Sequence, residues 1–68
     1  MPKSDSVTCL ETGTVLTDPQ QAYKHAIHVF HLEDRGAKQI LKDMERHSNP
    51  EYAKRVSVLM RYALGKEE

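Results

Sequence analysis

Residues 7–21 decide the fold, and they read VTCLETGTVLTDPQQ. Two β-prone runs, residues 7–10 and 14–16, flank a short segment that contains Gly13. Glycine adopts the positive φ of a tight turn without steric cost, so the pattern predicts a two-stranded antiparallel hairpin. Because an isolated hairpin is only marginally stable in water, we expect it to pack on the elements that follow it.

A helix is predicted directly after the hairpin. Asp18 is the expected N-cap, Pro19 fits the first helical position, and Gln21 would complete a capping box. The apolar residues that follow have the i, i+3, i+4 spacing of one helix face; they are Ala22, Tyr23, Ala26, Ile27 and Phe30. The first helix is therefore expected at about residues 19–32.

Two breaks divide the rest of the chain into two more helices. After the first break, with Glu33 or Asp34 as the cap, a second helix is expected at about 36–47; its apolar face is Ala37, Ile40, Leu41 and Met44. Pro50 begins the third helix behind a Ser or Asn cap, and Gly65 is expected just past its end. The apolar face of this helix is Tyr52, Val56, Leu59, Met60 and Ala63.

The three apolar helix faces and the inner side of the hairpin can form one core. The predicted fold class is α+β, with an N-terminal two-stranded antiparallel hairpin packed on a cluster of three short helices. A single domain is expected over residues 7–65, with flexible tails at residues 1–6 and 66–68.

Composition narrows the class of protein. The 68 residues carry ten basic and ten acidic side chains, a formal net charge of zero, whereas proteins that bind nucleic acid through bulk charge typically have a pI above about 9. No apolar run could span a membrane and the N-terminus has no signal peptide pattern. Cys9 is the single cysteine, which fits a reducing compartment and predicts a cytoplasmic protein. A domain this small gains stability from a partner, so a homo-oligomer is one option.

Three histidines, at positions 25, 28 and 31, lie on the side of the first predicted helix that faces away from its apolar residues. His25 and His28 are the candidate metal ligands, because i and i+3 are neighbours on a helix. The usual zinc spacings are absent, so neither a metal nor a cofactor is predicted. The stripe is interpreted as a solvated face, with a partner-contact face and a metal site as the alternatives.

A basic stripe is predicted on the second helix, formed by Arg35, Lys38, Lys42 and Arg46. These positions fall within an arc of about 80° opposite the apolar face. Such a stripe can contact phosphates, because each lysine or arginine displaces a condensed counterion. The alternative interpretation is an ordinary solvated face.

The third predicted helix turns Arg55, Val58 and Tyr62 away from its main apolar stripe. Arginine and aromatic residues are enriched at binding hot spots, so the three are the candidate contact patch for a protein partner. The alternative is that Tyr62 packs under the hairpin. No nucleophile motif or phosphate-binding glycine loop is present, and the chain is not expected to be an enzyme.

Residues 7–27 also resemble a known family of modules. The motif Cys9-Leu10-Glu11-Thr12-Gly13 and the helical Ala22 match, in kind and order, the short DNA-binding repeats appended to homing endonucleases and phage HNH endonucleases. Those repeats have a strand, a turn of this type, a second strand, a small polar cap and a helix. The resemblance implies a DNA-binding role without cleavage, because no His-Asn-His nuclease motif is present.

The resemblance covers under a third of the chain, and the sequence departs from the family beyond it. The family continues with a helix-turn-helix-like helix and a Lys- and Gly-rich stretch that grips DNA. This chain instead has His28-Val29-Phe30-His31-Leu32 and two longer helices.

The function predicted from the sequence is that of a small regulatory protein, an inhibitor or adaptor of the kind that phages and plasmids encode, which binds a larger protein partner. The alternative is a nucleic-acid-binding regulator that uses the basic face of the second helix.

Overall fold

The computed structural model describes residues 6–65, and the predicted α+β fold is confirmed. A two-stranded sheet and three helices pack together; in chain order they are β1 Val7–Thr8, β2 Val15–Leu16, α1 Pro19–Phe30, α2 Ala37–Glu45 and α3 Pro50–Gly65. The predicted tails lie outside the described residues, except that the half-buried Ser6 is described.

The hairpin forms as predicted, with strands shorter than the β-prone runs. Val7 pairs with Leu16 in the antiparallel register. The turn is closed by two bonds of 2.7 Å: the Cys9 N–H donates to the Thr14 carbonyl, and the Gly13 N–H donates to the Cys9 carbonyl. Gly13 has φ 78°, the positive value that its position in the sequence indicated.

Helix α1 begins at Pro19 as predicted, but its ends differ from the expectation. Asp18 is the N-cap residue, yet its side chain makes no capping bond, so the predicted capping box with Gln21 is wrong. The helix ends at Phe30, before the predicted residue 32, because His31 adopts the left-handed conformation with φ 56°. The N–H groups of His31 and Leu32 both donate to the Ile27 carbonyl, and the half-buried Leu32 packs on the core.

The predicted cap of the second helix is wrong. Gly36, with φ 100°, is the N-cap of α2. Asp34 instead accepts a hydrogen bond from the Tyr23 hydroxyl, and Glu33 forms an ion pair with Arg35. Both carboxylates are therefore engaged by other side chains, and neither caps α2.

Helix α3 has the predicted asparagine cap. The Asn49 Oδ1 atom accepts from the N–H groups of Glu51 at 3.0 Å and Tyr52 at 3.2 Å, which satisfies two of the unpaired donors at the helix start. Gly65 is the last residue of α3 and does not lie past its end, one position from the expected stop.

Helix α3 is the centre of the core, because it packs against α1, α2 and β1. Three of the largest fully buried side chains, Val56, Leu59 and Met60, belong to it. The start of α3 lies against the end of α1, where the Tyr52 hydroxyl donates to the Phe30 carbonyl at 3.4 Å. The buried cluster around these contacts consists of Cys9, Leu16, Ala22, Ala26, Ile40, Met44, Val56, Leu59 and Met60. None of the helices within residues 6–65 is long and apolar enough to cross a membrane.

Candidate binding surface

Arg35, the first residue of the predicted basic stripe, is bonded within the molecule. Its Nε lies 2.9 Å from Glu33 Oε1, and its Nη1 lies 3.2 Å from Asp43 Oδ2. The hydrogen bond to Glu33 and the charges of both carboxylates raise the pKa of Arg35. Two carboxylates therefore balance this guanidinium, and it contributes little free positive charge to the stripe.

The other stripe residues, Lys38, Lys42 and Arg46, are exposed and have no ion pair among residues 6–65. Lys38 and Lys42 lie one turn apart on α2, and Arg46 is its C-cap residue. Glu45, three positions after Lys42, is exposed and also has no ion pair within the described chain. Of the four residues of the predicted basic stripe, Lys38, Lys42 and Arg46 are therefore exposed and unpaired, whereas Arg35 is in salt bridges.

The three residues of the predicted patch, Arg55, Val58 and Tyr62, contact different parts of the molecule. Arg55 Nη1 lies 2.8 Å from Glu11 Oε1 and ties α3 to the hairpin turn. Tyr62 is half-buried and packs against the core cluster. Val58 lines a groove together with residues of α2 and of the connection between α2 and α3.

This groove, which we call the α2–α3 groove, lies between the end of α2 and the outer side of α3 and encloses about 430 Å³. Its apolar wall includes Met44, Ala53 and Val58, which are buried or half-buried. Its exposed charged residues include Lys54 and Arg61. The complete lining is Met44, Glu45, His47, Pro50, Ala53, Lys54, Ser57, Val58 and Arg61.

The connection between α2 and α3 holds one end of the groove in place. The His47 ring stacks on the Tyr52 ring, with centroids 4.7 Å apart and an interplanar angle of 34°. His47 Nδ1 also accepts a hydrogen bond of 3.0 Å from the Asn49 N–H. The sequence reasoning missed His47, although its place just before the Asn49-Pro50 helix start marked it as a residue of the connection.

A second cavity, of about 480 Å³, lies where the starts of α1 and α2 meet Ala63 near the end of α3. Tyr23 lines this cavity. The Tyr23 hydroxyl donates to Asp34 and accepts from the Gly36 N–H at 2.8 Å. Burial raises the pKa of Tyr23, and the bond to Asp34 raises it further. Asp18 also lines this cavity. The chief role of these contacts is to fix the start of α2 against α1.

The three histidines of the predicted stripe have different surroundings. His25 is half-buried, and its Nε2 lies 3.2 Å from Thr12 Oγ1 in the hairpin turn. His28 is exposed, and His31 ends the helix. Within residues 6–65, no group of three or more His, Cys, Asp or Glu side chains is arranged to hold a metal ion.

Most of the cations without an ion pair within residues 6–65 belong to α2, α3 or the residues beside them. Arg35 and Arg55 are in salt bridges. The cations of residues 6–65 without an ion pair are all exposed; they are Lys24 on α1, and Lys38, Lys42, Arg46, Lys54 and Arg61 on or next to α2 and α3. The outer side of these two helices is therefore the candidate binding surface, and we call it the α2–α3 face. Comparisons of the chain with known protein families, with curated proteins and with solved structures gave no match.

Proposed function

We propose that this chain is a small non-enzymatic regulatory protein, an inhibitor or adaptor, that binds an acidic surface of a larger protein through the α2–α3 face. The observation that carries the proposal is the set of five exposed cations without ion pairs on or next to these two helices. A cytoplasmic location is part of the proposal, and it rests on the single, buried cysteine Cys9.

The distribution of charge supports a surface that meets an anionic partner. The chain has no net charge, so this local excess of unpaired cations is not a consequence of an overall basic composition. Complementary charge steers association and fixes the orientation of partners. The two arginines that bond within the molecule, Arg35 and Arg55, contribute to its architecture instead.

The apolar wall of the α2–α3 groove favours a protein partner over a nucleic acid. Val58 and Ala53 lie beside Lys54 and Arg61, and interfaces between proteins combine an apolar centre with a polar rim. A phosphate backbone is contacted mainly by cations and hydrogen-bond donors, and the side chains of Val58 and Ala53 supply neither.

Nucleic-acid binding is the second candidate function. It is favoured by Lys38, Lys42 and Arg46, which are exposed and unpaired along one side of α2. It also agrees with the resemblance of residues 7–27 to DNA-binding repeats. The number of free phosphate contacts available on α2 is smaller than the sequence suggested, because Arg35 is paired with Glu33 and Asp43.

The test compares wild-type protein with two doubly substituted variants in quantitative affinity capture from cells that produce the protein. Lys54→Glu/Arg61→Glu should lose the captured partner, whereas Lys24→Glu/His28→Glu on α1 should retain it. The capture is repeated after nuclease treatment and at raised salt, which weakens contacts between exposed charges.

Equal capture by both variants would contradict a partner on the α2–α3 face. Loss of the captured material after nuclease treatment would favour the nucleic-acid function. In that case, fluorescence anisotropy with duplex DNA should show a salt-dependent affinity that Lys38→Glu/Lys42→Glu abolishes.

A further inference from the structure

We infer that the α2–α3 groove is the docking site for an acidic segment of the partner that inserts one apolar side chain between flanking carboxylates. This inference rests on the proposed function and specifies the class of segment that is bound. It does not require the basic residues at the start of α2.

Three side chains along α3 determine the order of charged and apolar residues expected in the bound segment. Lys54, Val58 and Arg61 are at positions i, i+4 and i+7, so they share one side of the helix, and all three line the groove. Val58 therefore lies between two cations that are separated by about 10 Å along the helix axis. A matching segment carries an apolar residue between two carboxylates with a similar separation.

That separation gives the spacing of the segment in sequence. In an extended segment, side chains on one face are two residues apart, so two carboxylates on either side of one apolar residue are four residues and about 13 Å apart, which the long lysine and arginine side chains can reach. In a helical segment, a separation of about 10 Å takes about seven residues. Both spacings put an apolar residue near the middle, opposite Val58.

The volume and the opposite wall limit what enters. A space of about 430 Å³ holds a few side chains, and Met44 from α2 supplies an apolar surface that can adapt to an anchor of imperfect shape. Glu45 lies on the α2 side of the groove, so it repels a carboxylate there. The acidic residues of the segment are therefore expected along α3, next to Lys54 and Arg61.

Internal contacts hold one end of the groove, which reduces the cost of ordering it on binding. The Asn49 cap and the stacking of His47 on Tyr52 hold the connection at the end of the groove. Burial of one leucine side chain in the groove should raise the affinity roughly tenfold or more.

The test uses labelled peptides in which one leucine is flanked by glutamates four or seven residues apart. The matched peptides replace leucine by serine, and poly-glutamate and duplex DNA are the further probes. Fluorescence anisotropy should show that the serine peptides bind at least about tenfold more weakly than the best leucine peptide. Lys54→Glu/Arg61→Glu should lose binding, whereas Lys24→Glu should retain it.

Two further measurements locate the bound peptide. Val58→Asn should lower the affinity for the leucine peptide more than the affinity for the serine peptide. Circular dichroism should show that the variant is folded. With the wild-type protein, NMR shift changes on addition of the leucine peptide should centre on the amides of Ala53, Ser57 and Val58. Changes centred on the hairpin would overturn the inference even if Val58→Asn failed to fold.

The outcomes separate this inference from the proposed function. Equal affinity for leucine and serine peptides, with loss in Lys54→Glu/Arg61→Glu, would overturn the groove and leave the cationic surface intact. Absence of binding by every acidic probe at low salt would overturn both. Binding of DNA alone, lost in Lys38→Glu/Lys42→Glu, would replace both by the nucleic-acid function.

Discussion

At the hairpin, polar side chains bond to the helices, whereas the cations of the α2–α3 face have no ion pair within residues 6–65. At the hairpin, Glu11 pairs with Arg55, and Thr12 lies 3.2 Å from the ring of His25. On the α2–α3 face, cations such as Lys42 and Lys54 have no ion pair within residues 6–65. A cation is therefore a candidate for binding a partner only where no side chain within the molecule engages it.

The same contrast is present on α3 alone, whose two sides serve different purposes. Leu59 is fully buried at the centre of the core, whereas its neighbour Val58 is half-buried in the groove. One side of the helix therefore stabilises the fold, and the other is available to a partner.

The largest change in stability is expected for substitutions that compare the buried side of α3 with the side that lines the groove. Leu59→Ala should lower the free energy of unfolding by about 2–5 kcal/mol, because it removes buried methyl groups and leaves a cavity. Val58→Ala should lower it by less than about 1 kcal/mol, since Val58 keeps part of its surface in water. Urea denaturation of both variants measures the difference. Equal losses would show that Val58 belongs to the core and not to a binding surface.

An intermediate effect is expected at Tyr23, which joins α1 to the start of α2. Tyr23→Phe removes the hydroxyl that donates to Asp34 and accepts from the Gly36 N–H, and should lower the free energy of unfolding by about 1 kcal/mol. Tyr52→Phe is the matched control and should cost less, because its hydroxyl makes only a long bond of 3.4 Å to Phe30.

The pKa of Tyr23 adds a dependence on pH to this prediction. Burial and the bond to Asp34 raise its pKa above the ordinary value of 10.0. The folded state thus holds the phenolic proton more tightly than the unfolded state, so this contribution to stability is complete below pH 10.0 and is lost as the pH rises above it. Denaturation across that range should show a shallower alkaline decline for Tyr23→Phe than for wild type; parallel declines would contradict the role of Tyr23.

The smallest expected effect compares two adjacent cations, one paired and one unpaired. Arg55→Ala should lower the free energy of unfolding by about 0.2–1 kcal/mol, because it removes an exposed salt bridge to Glu11. It should also speed hydrogen exchange of the Gly13 amide in the hairpin turn. Lys54→Ala should change neither the free energy of unfolding nor the exchange rate of the Gly13 amide, but it should weaken the binding of an acidic peptide. If Lys54→Ala destabilised the hairpin as much as Arg55→Ala, the distinction between paired and unpaired cations would be lost.

Much of the fold was predictable because its signals are local. Gly13 indicated the turn by its conformational freedom, and Pro19 and Asn49 indicated helix starts by the backbone geometry and hydrogen bonds that they favour. The period of apolar residues predicted which helix faces would be buried. The predicted caps failed where a more distant group competed, as when Tyr23 engaged Asp34.

The candidate surface was predictable only in part. Lys38, Lys42 and Arg46 are exposed on one side of α2, in line with their spacing. The pairing of Arg35 depends on how the loop before α2 places Arg35 and Glu33 relative to Asp43 on α2. Spacing along a helix gives the direction of a side chain but does not give its partners from other segments.

The amino-acid sequence by itself determined the hairpin, the three helices and the sides on which they are apolar, since each depends on interactions over a few residues. Only the tertiary structure decided that Arg55 reaches Glu11, that Tyr62 packs on the core, and that Val58 lines a groove with Met44. The physical reason is distance along the chain: Arg55 and Glu11 are 44 residues apart. Such contacts arise only when the packing of α3 against the hairpin and α2 brings these segments together.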